Sequence, residues 1–437
     1  MMRHALWTSM SCLTIVLLAP ALVAQAPAPE QKPPILPSDL ADVTYHFDVL
    51  PTGLTGAAAE LLAREAGRNQ FFIIGEYHGS RRISEFTQAM IPVLHDAGYR
   101  HFGLEVGPVS AAILGELSSD PAATTRKLRD FNTRYLRSRG ERDFTPIPFF
   151  STVEDAAFLA EAAMRRWSLI GLDQEFSFSH LPLIERMYRN LPAGRQSALR
   201  AQYDQAVEAF EVIYQDDATR TRNAAIAISE SAAIQAFLDE ASKDTPTNAA
   251  IAAALRTTTE IYRNNANTIR KYYLANDTRV QYMKANLAAG FAATRFDQTR
   301  DKMLLKMGAV HTGRGFSPLS LFEIGNTLSE LAAINGNASV HLYFMPRHYV
   351  EDGREVDALA DPDGFDQRFK ALLQMGRRDQ WTVIDLRPLR EAVFYHRRFE
   401  VDEVVRDIWR NHDLVVIPKL DPAPTPNYET RGGVTAP

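Results

Sequence analysis

The stretch Phe71-Phe72-Ile73-Ile74-Gly75-Glu76-Tyr77-His78-Gly79-Ser80 decides the fold. Four consecutive apolar residues, two aromatic and two β-branched, read as a strand buried on both faces. Gly75 ends the run, and Gly79-Ser80 leads into an amphipathic stretch from Ile83 to Ala97. The polar pair Glu76 and His78 therefore sits on a turn between a buried strand and a helix. In open α/β sheets that turn, at the carboxyl edge, is where ligands bind. Side chains alternate along extended backbone, so a carboxylate and an imidazole two residues apart can face one pocket.

The pattern recurs. Arg100–Leu104 runs into Glu105-Val106-Gly107-Pro108, and Trp167–Leu172 runs into Asp173-Gln174-Glu175. Lys302–Val310 closes on His311-Thr312-Gly313-Arg314-Gly315. Each is an apolar run ending on an ionisable residue. Adjacent strands would bring Glu76, His78, Glu105, Asp173 and His311 to one edge of a sheet. The expected fold is α/β: a mostly parallel central sheet flanked by helices, with a large inserted helical subdomain.

A chain of 437 residues, 46% hydrophobic and 23% charged, has ample material for a large core. Its net charge of −5, with no Lys/Arg-rich block, argues against nucleic acid as a partner, because phosphate binding needs a basic face. A small-molecule substrate or ligand is expected instead. The N-terminus reads as a targeting signal over residues 1–26, with Arg3, an apolar run from Leu13 to Ala24 and small residues at the cleavage site. That run is short for a membrane span, so no span is expected after signal cleavage. Cys12, the only cysteine, falls inside it, which leaves the mature chain without thiol chemistry. An exported protein, periplasmic or secreted, is the expectation.

Residues 27–40 are rich in Pro and Ala and read as a disordered leader. The α/β core is expected over 41–180 and 294–420. From 181 to 293 there is no strand pattern, only helical spacing rich in Ala, Arg, Glu and Gln. That is far too long for a crossover, and it reads as a helical insert covering the sheet edge as a lid. Phe144-Thr145-Pro146-Ile147-Pro148-Phe149-Phe150 cannot be regular helix, and this aromatic loop either lines a pocket or wraps the core. Residues 421–437 read as a disordered tail.

No Gly-x-Ser-x-Gly appears and no cysteine survives processing, so direct attack by water is the simplest hydrolytic chemistry. That needs a base titrating near neutrality, which His78 or His311 supplies, and a carboxylate to orient it. Arg314, among glycines after His311, could stabilise an oxyanion. Glu105 after an apolar strand demands a His, Arg or metal partner, because an unpaired buried carboxylate is costly. Asp173 serves either the site or a helix cap. Glu76, Glu105, His78 and His311 could equally ligate a divalent metal ion.

These residues resemble the erythromycin esterase-like group and, more broadly, the superfamily joining it to ChaN-like haem-binding lipoproteins and Tiki/TraB proteins. The resemblance rests on Gly75-Glu76-Tyr77-His78-Gly79, Gly103-Leu104-Glu105, Gly171-Leu172-Asp173, the helical face of Arg279, Met283 and Asn286, and Ala309-Val310-His311, in that order. It implies ester or lactone hydrolysis by water, with His311 as base and Glu76, His78 and Glu105 completing the site; Tyr77, Asp173, Arg279 and Arg314 are this reading's candidates for contact with the substrate. In one respect the sequence departs from the esterases, which usually place two residues between the Glu and His of the first motif. Only Tyr77 intervenes here, as in the ChaN-like branch that binds haem or iron. The alternatives are thus a haem- or metal-binding protein, in which Tyr77 could be an axial ligand, and a catalytically silent relative.

Overall fold

The computed structural model describes residues 32–50, 53–139, 142–218 and 223–430. The expected signal segment and the first residues of the leader lie outside them. Nine strands form one sheet: β1 (Thr44–Leu50), β2 (Gly53–Thr55), β3 (Phe71–Glu76), β4 (Tyr99–Leu104), β5 (Ser168–Gly171), β6 (Lys302–Gly308), β7 (Ser339–Phe344), β8 (Trp381–Asp385) and β9 (Leu414–Ile417). Their spatial order is β2-β1-β8-β9-β7-β3-β6-β4-β5. From β9 to β5 every neighbouring pair is parallel. The antiparallel strands β8, β1 and β2 extend the other edge. The expected α/β sheet is therefore found, with an antiparallel wing that the sequence pattern had not announced.

The quoted stretch occupies the middle of the parallel block. All six residues of β3 are buried, as a strand covered on both faces must be. At Gly75 a β-carbon would lie 2.4 Å from Thr312 Oγ1 and 2.9 Å from the Leu342 carbonyl oxygen, so only glycine allows the chain after β6 to cross here. The chain lays down β3, then β4 and β5 outward, and later returns to insert β6 between β3 and β4. Residues separated by more than 200 positions thereby become neighbours at one sheet edge.

Between β5 and β6 the described elements are all helical, including His180–Arg189, Ala193–Ala218, Pro246–Asn265 and Tyr272–Thr294. Side-chain caps set several starts: Asn223 Oδ1, Ser231 Oγ and Thr245 Oγ1 each accept a backbone N–H three residues on. Helix Tyr272–Thr294 returns to the sheet, where Met283, Leu287 and Phe291 pack with Phe71, Ile73, Met303 and Leu305. Asn286 Nδ2 donates to the Leu172 carbonyl at 2.9 Å, holding that helix across the end of β5. Among the described residues, no helix is long and apolar enough to cross a membrane.

Two expectations of disorder are corrected. Pro37–Leu40 is a helical turn with Leu40 fully buried. Residues 421–430 are a strap across the helices that follow β3. Asp421 accepts from Tyr77 Oη at 2.7 Å, Ser80 Oγ at 2.6 Å and Arg82 N at 3.0 Å, capping helix Arg81–Asp96 from a distance. Thr425 bonds both oxygens of Glu154, and Asn427 is fully buried. The strap is ordered by unsatisfied helix-end groups, not by apolar burial, and composition does not register that force.

Half-buried Arg314 pairs with buried Asp413 at the opposite end of the strands, with contacts of 3.0 and 2.7 Å, and Arg390 adds a third at 3.1 Å. Burial works against Asp413 ionising, but the two guanidiniums outweigh it and hold its carboxyl well below the usual range. A folded-state value below the unfolded one stabilises the protein at neutral pH, and the gain is lost as acid reaches the folded value. Asp413→Ala should cost on the order of 3 kcal/mol at pH 7 by urea denaturation, with the difference from the parent shrinking in acid.

Candidate functional site

The carboxyl ends of β3, β4 and β6 converge on a cluster of acidic and imidazole groups. Glu76, the last residue of β3, places Oε1 3.2 Å from His78 Nδ1 and Oε2 2.5 Å from Lys306 Nζ. Lys306 is buried within β6 and paired in register with Ile74, so its ammonium needs a counter-ion, which Glu76 provides. Burial opposes ionisation of Glu76, but Lys306 and the His78 hydrogen bond win and keep the carboxyl below its ordinary range. Burial likewise opposes the charged form of His78. The Glu76 bond and the Glu105 charge outweigh it and raise that imidazole's pKa.

Glu105 follows β4 and is 4% exposed. Its Oε2 accepts the Gly308 N–H at 2.5 Å and its Oε1 accepts from Arg279 Nη2 at 3.0 Å. A β-carbon at residue 308 would lie 2.8 Å from His78 Nε2, so glycine is what lets backbone, carboxylate and imidazole meet here. His311 sits in a 3-10 turn directly after β6. Its Nδ1 contacts Glu323 Oε2 at 2.8 Å. Glu323 itself accepts from Ser317 Oγ at 3.1 Å and is 1% exposed. With Nδ1–H donating to that carboxylate, the lone pair is left on Nε2. The two imidazoles then address opposite oxygens of one carboxylate: His311 Nε2 lies 3.6 Å from Glu105 Oε1, and His78 Nε2 lies 3.9 Å from Glu105 Oε2. Each histidine thus has its own carboxylate behind it and shares Glu105 in front.

Helix Tyr272–Thr294 delivers Arg279, whose Nε and Nη2 hold Asp173 at 2.9 and 2.5 Å while Nη2 reaches Glu105. The two carboxylates outweigh the cost of burial and keep the guanidinium charged. Phe149 stacks on His78 with centroids 4.1 Å apart and planes 17° from parallel. Its φ of 61° is unusual for a bulky side chain and marks a backbone held by its surroundings. Beyond it opens a cavity of ≈ 370 Å³, bounded by the aromatic loop, Asp173, Arg279 and the insert residues Tyr262 and Asn276. That size suits a small-molecule ligand.

The structure thus brings together Glu76, His78, Glu105, His311, Asp173 and Arg279. Two expected residues do not join them. Arg314 points to Asp413 and to the carbonyl of Ser339, the first residue of β7, so it stands at the amino ends of strands. Tyr77 turns its hydroxyl to Asp421, away from the cluster, because alternation sends it opposite to Glu76 and His78. Three residues escaped the sequence reading. Lys306 is a single cation inside an apolar run, Glu323 follows a loop with no strand before it, and Phe149 was legible only as part of an aromatic loop. The lysine carried the best signal, since a charge in a strand buried on both faces requires a partner.

A metal ion fits this donor set poorly. Glu76 already takes an ammonium, and Glu105 takes a backbone N–H and a guanidinium, so the oxygens a cation would use are occupied. Among the described residues no group of three or more His, Cys, Asp or Glu is arranged to hold an ion. Nor does Tyr77 present itself as an axial haem ligand, with its hydroxyl held by Asp421.

No family model matches the chain, and no curated protein matches it in sequence. Solved structures do share the fold. A succinoglycan biosynthesis protein aligns with a TM-score of 0.55 at 13% identity, over 89% of this chain and 97% of its own. A histidine-to-asparagine variant of the erythromycin esterase EreC, in its open conformation, aligns with a TM-score of 0.52 at 14% identity, over 86% of this chain and 97% of its own. The chain therefore has an erythromycin esterase-like fold.

The electrostatics of the pair Glu76–His78 can be measured without a substrate. Glu76→Gln removes the charge and the charge-assisted bond that hold the His78 proton, so the imidazole pKa followed by NMR should fall relative to the parent. An unchanged titration would show that Glu76 does not set it.

Proposed function

We propose that the protein is an exported hydrolase that cleaves an ester or lactone with water activated by histidine, without a covalent intermediate on the chain. The observation that carries this reading is the convergence of two carboxylate-backed histidines on the two oxygens of Glu105. The esterase-like fold supports it, and so does the targeting pattern at the N-terminus.

The two histidines divide the work. His311, its Nδ1 fixed by Glu323, presents the Nε2 lone pair and takes a proton from water as the water oxygen bonds to the carbonyl carbon. His78 is biased toward the imidazolium and donates to the carbonyl oxygen as negative charge gathers there. When the tetrahedral intermediate collapses, the carbon–oxygen bond to the leaving group breaks and an imidazolium proton passes to the departing alkoxide. The acid and the alcohol leave, or a hydroxy acid where the substrate is a lactone. Glu105, anchored by Gly308 N–H and Arg279, lies 3.6 and 3.9 Å from the two Nε2 atoms and stabilises the imidazolium that forms.

The division predicts a bell-shaped rate profile. On the acid side the rate falls as the general base is lost. Alkali deprotonates His78, at a pH above the ordinary imidazole value of about 6.5 because its pKa is raised. On a panel of aryl esters and lactones, His311→Gln should lower kcat about a hundredfold to ten-thousandfold with KM and melting temperature near the parent's. Glu323→Gln should lower kcat less, since it disturbs the tautomer and not the base itself. Parent-like hydrolysis by His311→Gln removes it from the mechanism and overturns the reading.

A further inference from the structure

The two histidines are held in different ways. The side chain of His311 is 6% exposed and is fixed by burial and by Glu323 at 2.8 Å. The His78 side chain is 43% exposed. Its Nδ1 has Glu76 at 3.2 Å, but Glu105 stands 3.9 Å from Nε2, beyond hydrogen-bond length. The ring torsion of a histidine is broad, so a tether at one nitrogen leaves the plane of the imidazole free to swing. Phe149, stacked on it at 4.1 Å and 17° from parallel, supplies the missing constraint.

That ring is itself firmly held. Ile147 and Phe150, on either side of the turn, are buried. Ser179 Oγ donates to the Pro146 carbonyl at 2.5 Å, and Asn132 Nδ2 donates to the Phe150 carbonyl at 2.9 Å. Between these anchors Phe149 has a φ of 61°, which glycine adopts freely and a bulky side chain only at a cost. A residue that merely closed the turn would be better as glycine. We propose that Phe149 is a positioning residue, its ring fixing the His78 imidazole with Nε2 toward Glu105 and the reacting carbonyl oxygen. The reaction in this statement rests on the hydrolase reading; the ordering of the imidazole does not.

NMR of the full chain with isotopically labelled histidine reads the imidazole without a substrate, with His78→Gln to assign its signals. In the parent the His78 ring protons should be shifted upfield by the Phe149 ring, and the imidazole should be rigid on the ps–ns timescale. Phe149→Leu keeps apolar bulk without a flat face and should lose both the shift and the rigidity. On the ester panel its kcat should fall about tenfold to a hundredfold, the scale of a misplaced reacting group. Phe149→Tyr keeps the flat face and should retain order and rate. Phe149→Gly should melt close to the parent, because relief of the positive φ offsets the lost contact, yet lose imidazole order as the leucine variant does. An imidazole as ordered in Phe149→Leu as in the parent, or one disordered in Phe149→Tyr, would overturn the proposal. So would a large fall in melting temperature for Phe149→Gly, which would make the ring part of the core. A protein that hydrolyses no ester fails only the hydrolase reading, since the imidazole's order is read without turnover. Undiminished hydrolysis by Phe149→Leu fails only this one.

Discussion

The burial of Glu105 is the constraint on which the site depends. A carboxylate in that position, almost without solvent, is tolerable only when its lone pairs are filled by donors or faced by positive charge. The sheet supplies Gly308 N–H, the insert supplies Arg279, and the two imidazoles stand a little farther off. Each supplier has its own requirement in turn. Gly308 must lack a side chain, Arg279 must be held by Asp173, and the histidines must be oriented by Glu76 and Glu323. One expensive group therefore dictates the identity of residues drawn from four widely separated parts of the chain.

Much of this was legible in the sequence because buried parallel strands write a coarse signal. An apolar run that stops on an ionisable residue marks both the strand and its carboxyl end, which places Glu76, Glu105, Asp173 and His311 at one edge from the sequence alone. The same rule misled at Arg314. It lies only three residues past His311, but the chain folds back from the edge within those three residues, and the guanidinium meets Asp413 at the amino ends of β7 and β9. Glu323 was invisible for the opposite reason. It reaches His311 from the start of helix Ile324–Ile334, after a loop whose path no periodicity records.

The C-terminal strap shows a second limit. Its composition lacks the apolar content that normally orders a segment, yet Asp421, Thr425 and Asn427 lie against helix starts and loops that need hydrogen-bond partners. Asp421 also ties down Tyr77 and Ser80, on either side of the turn that carries His78. The geometry of that histidine thus draws on a residue more than 340 positions away. Sequence reading weighs apolar burial well and polar satisfaction poorly, because the latter depends on where partners end up in space.

The fold divides its labour in a way that separates chemistry from recognition. The acid–base groups come from strand ends and the turns behind them, rigidly fixed by the parallel block. The walls of the adjoining cavity come instead from the aromatic loop, the small hairpin and the insert helices. Arg279, Asp173 and Phe149 belong to both, the first through Glu105, the second through Arg279 and the third through the stack on His78. Likeness of fold to an esterase therefore speaks to the sheet and the scaffold over it, while the adjoining cavity is lined by residues such as Phe144, Phe176 and Tyr262. Phe144 and Phe176 can change without touching the charge balance around Glu105, whereas Tyr262 is coupled to it through Arg279 and Asp173.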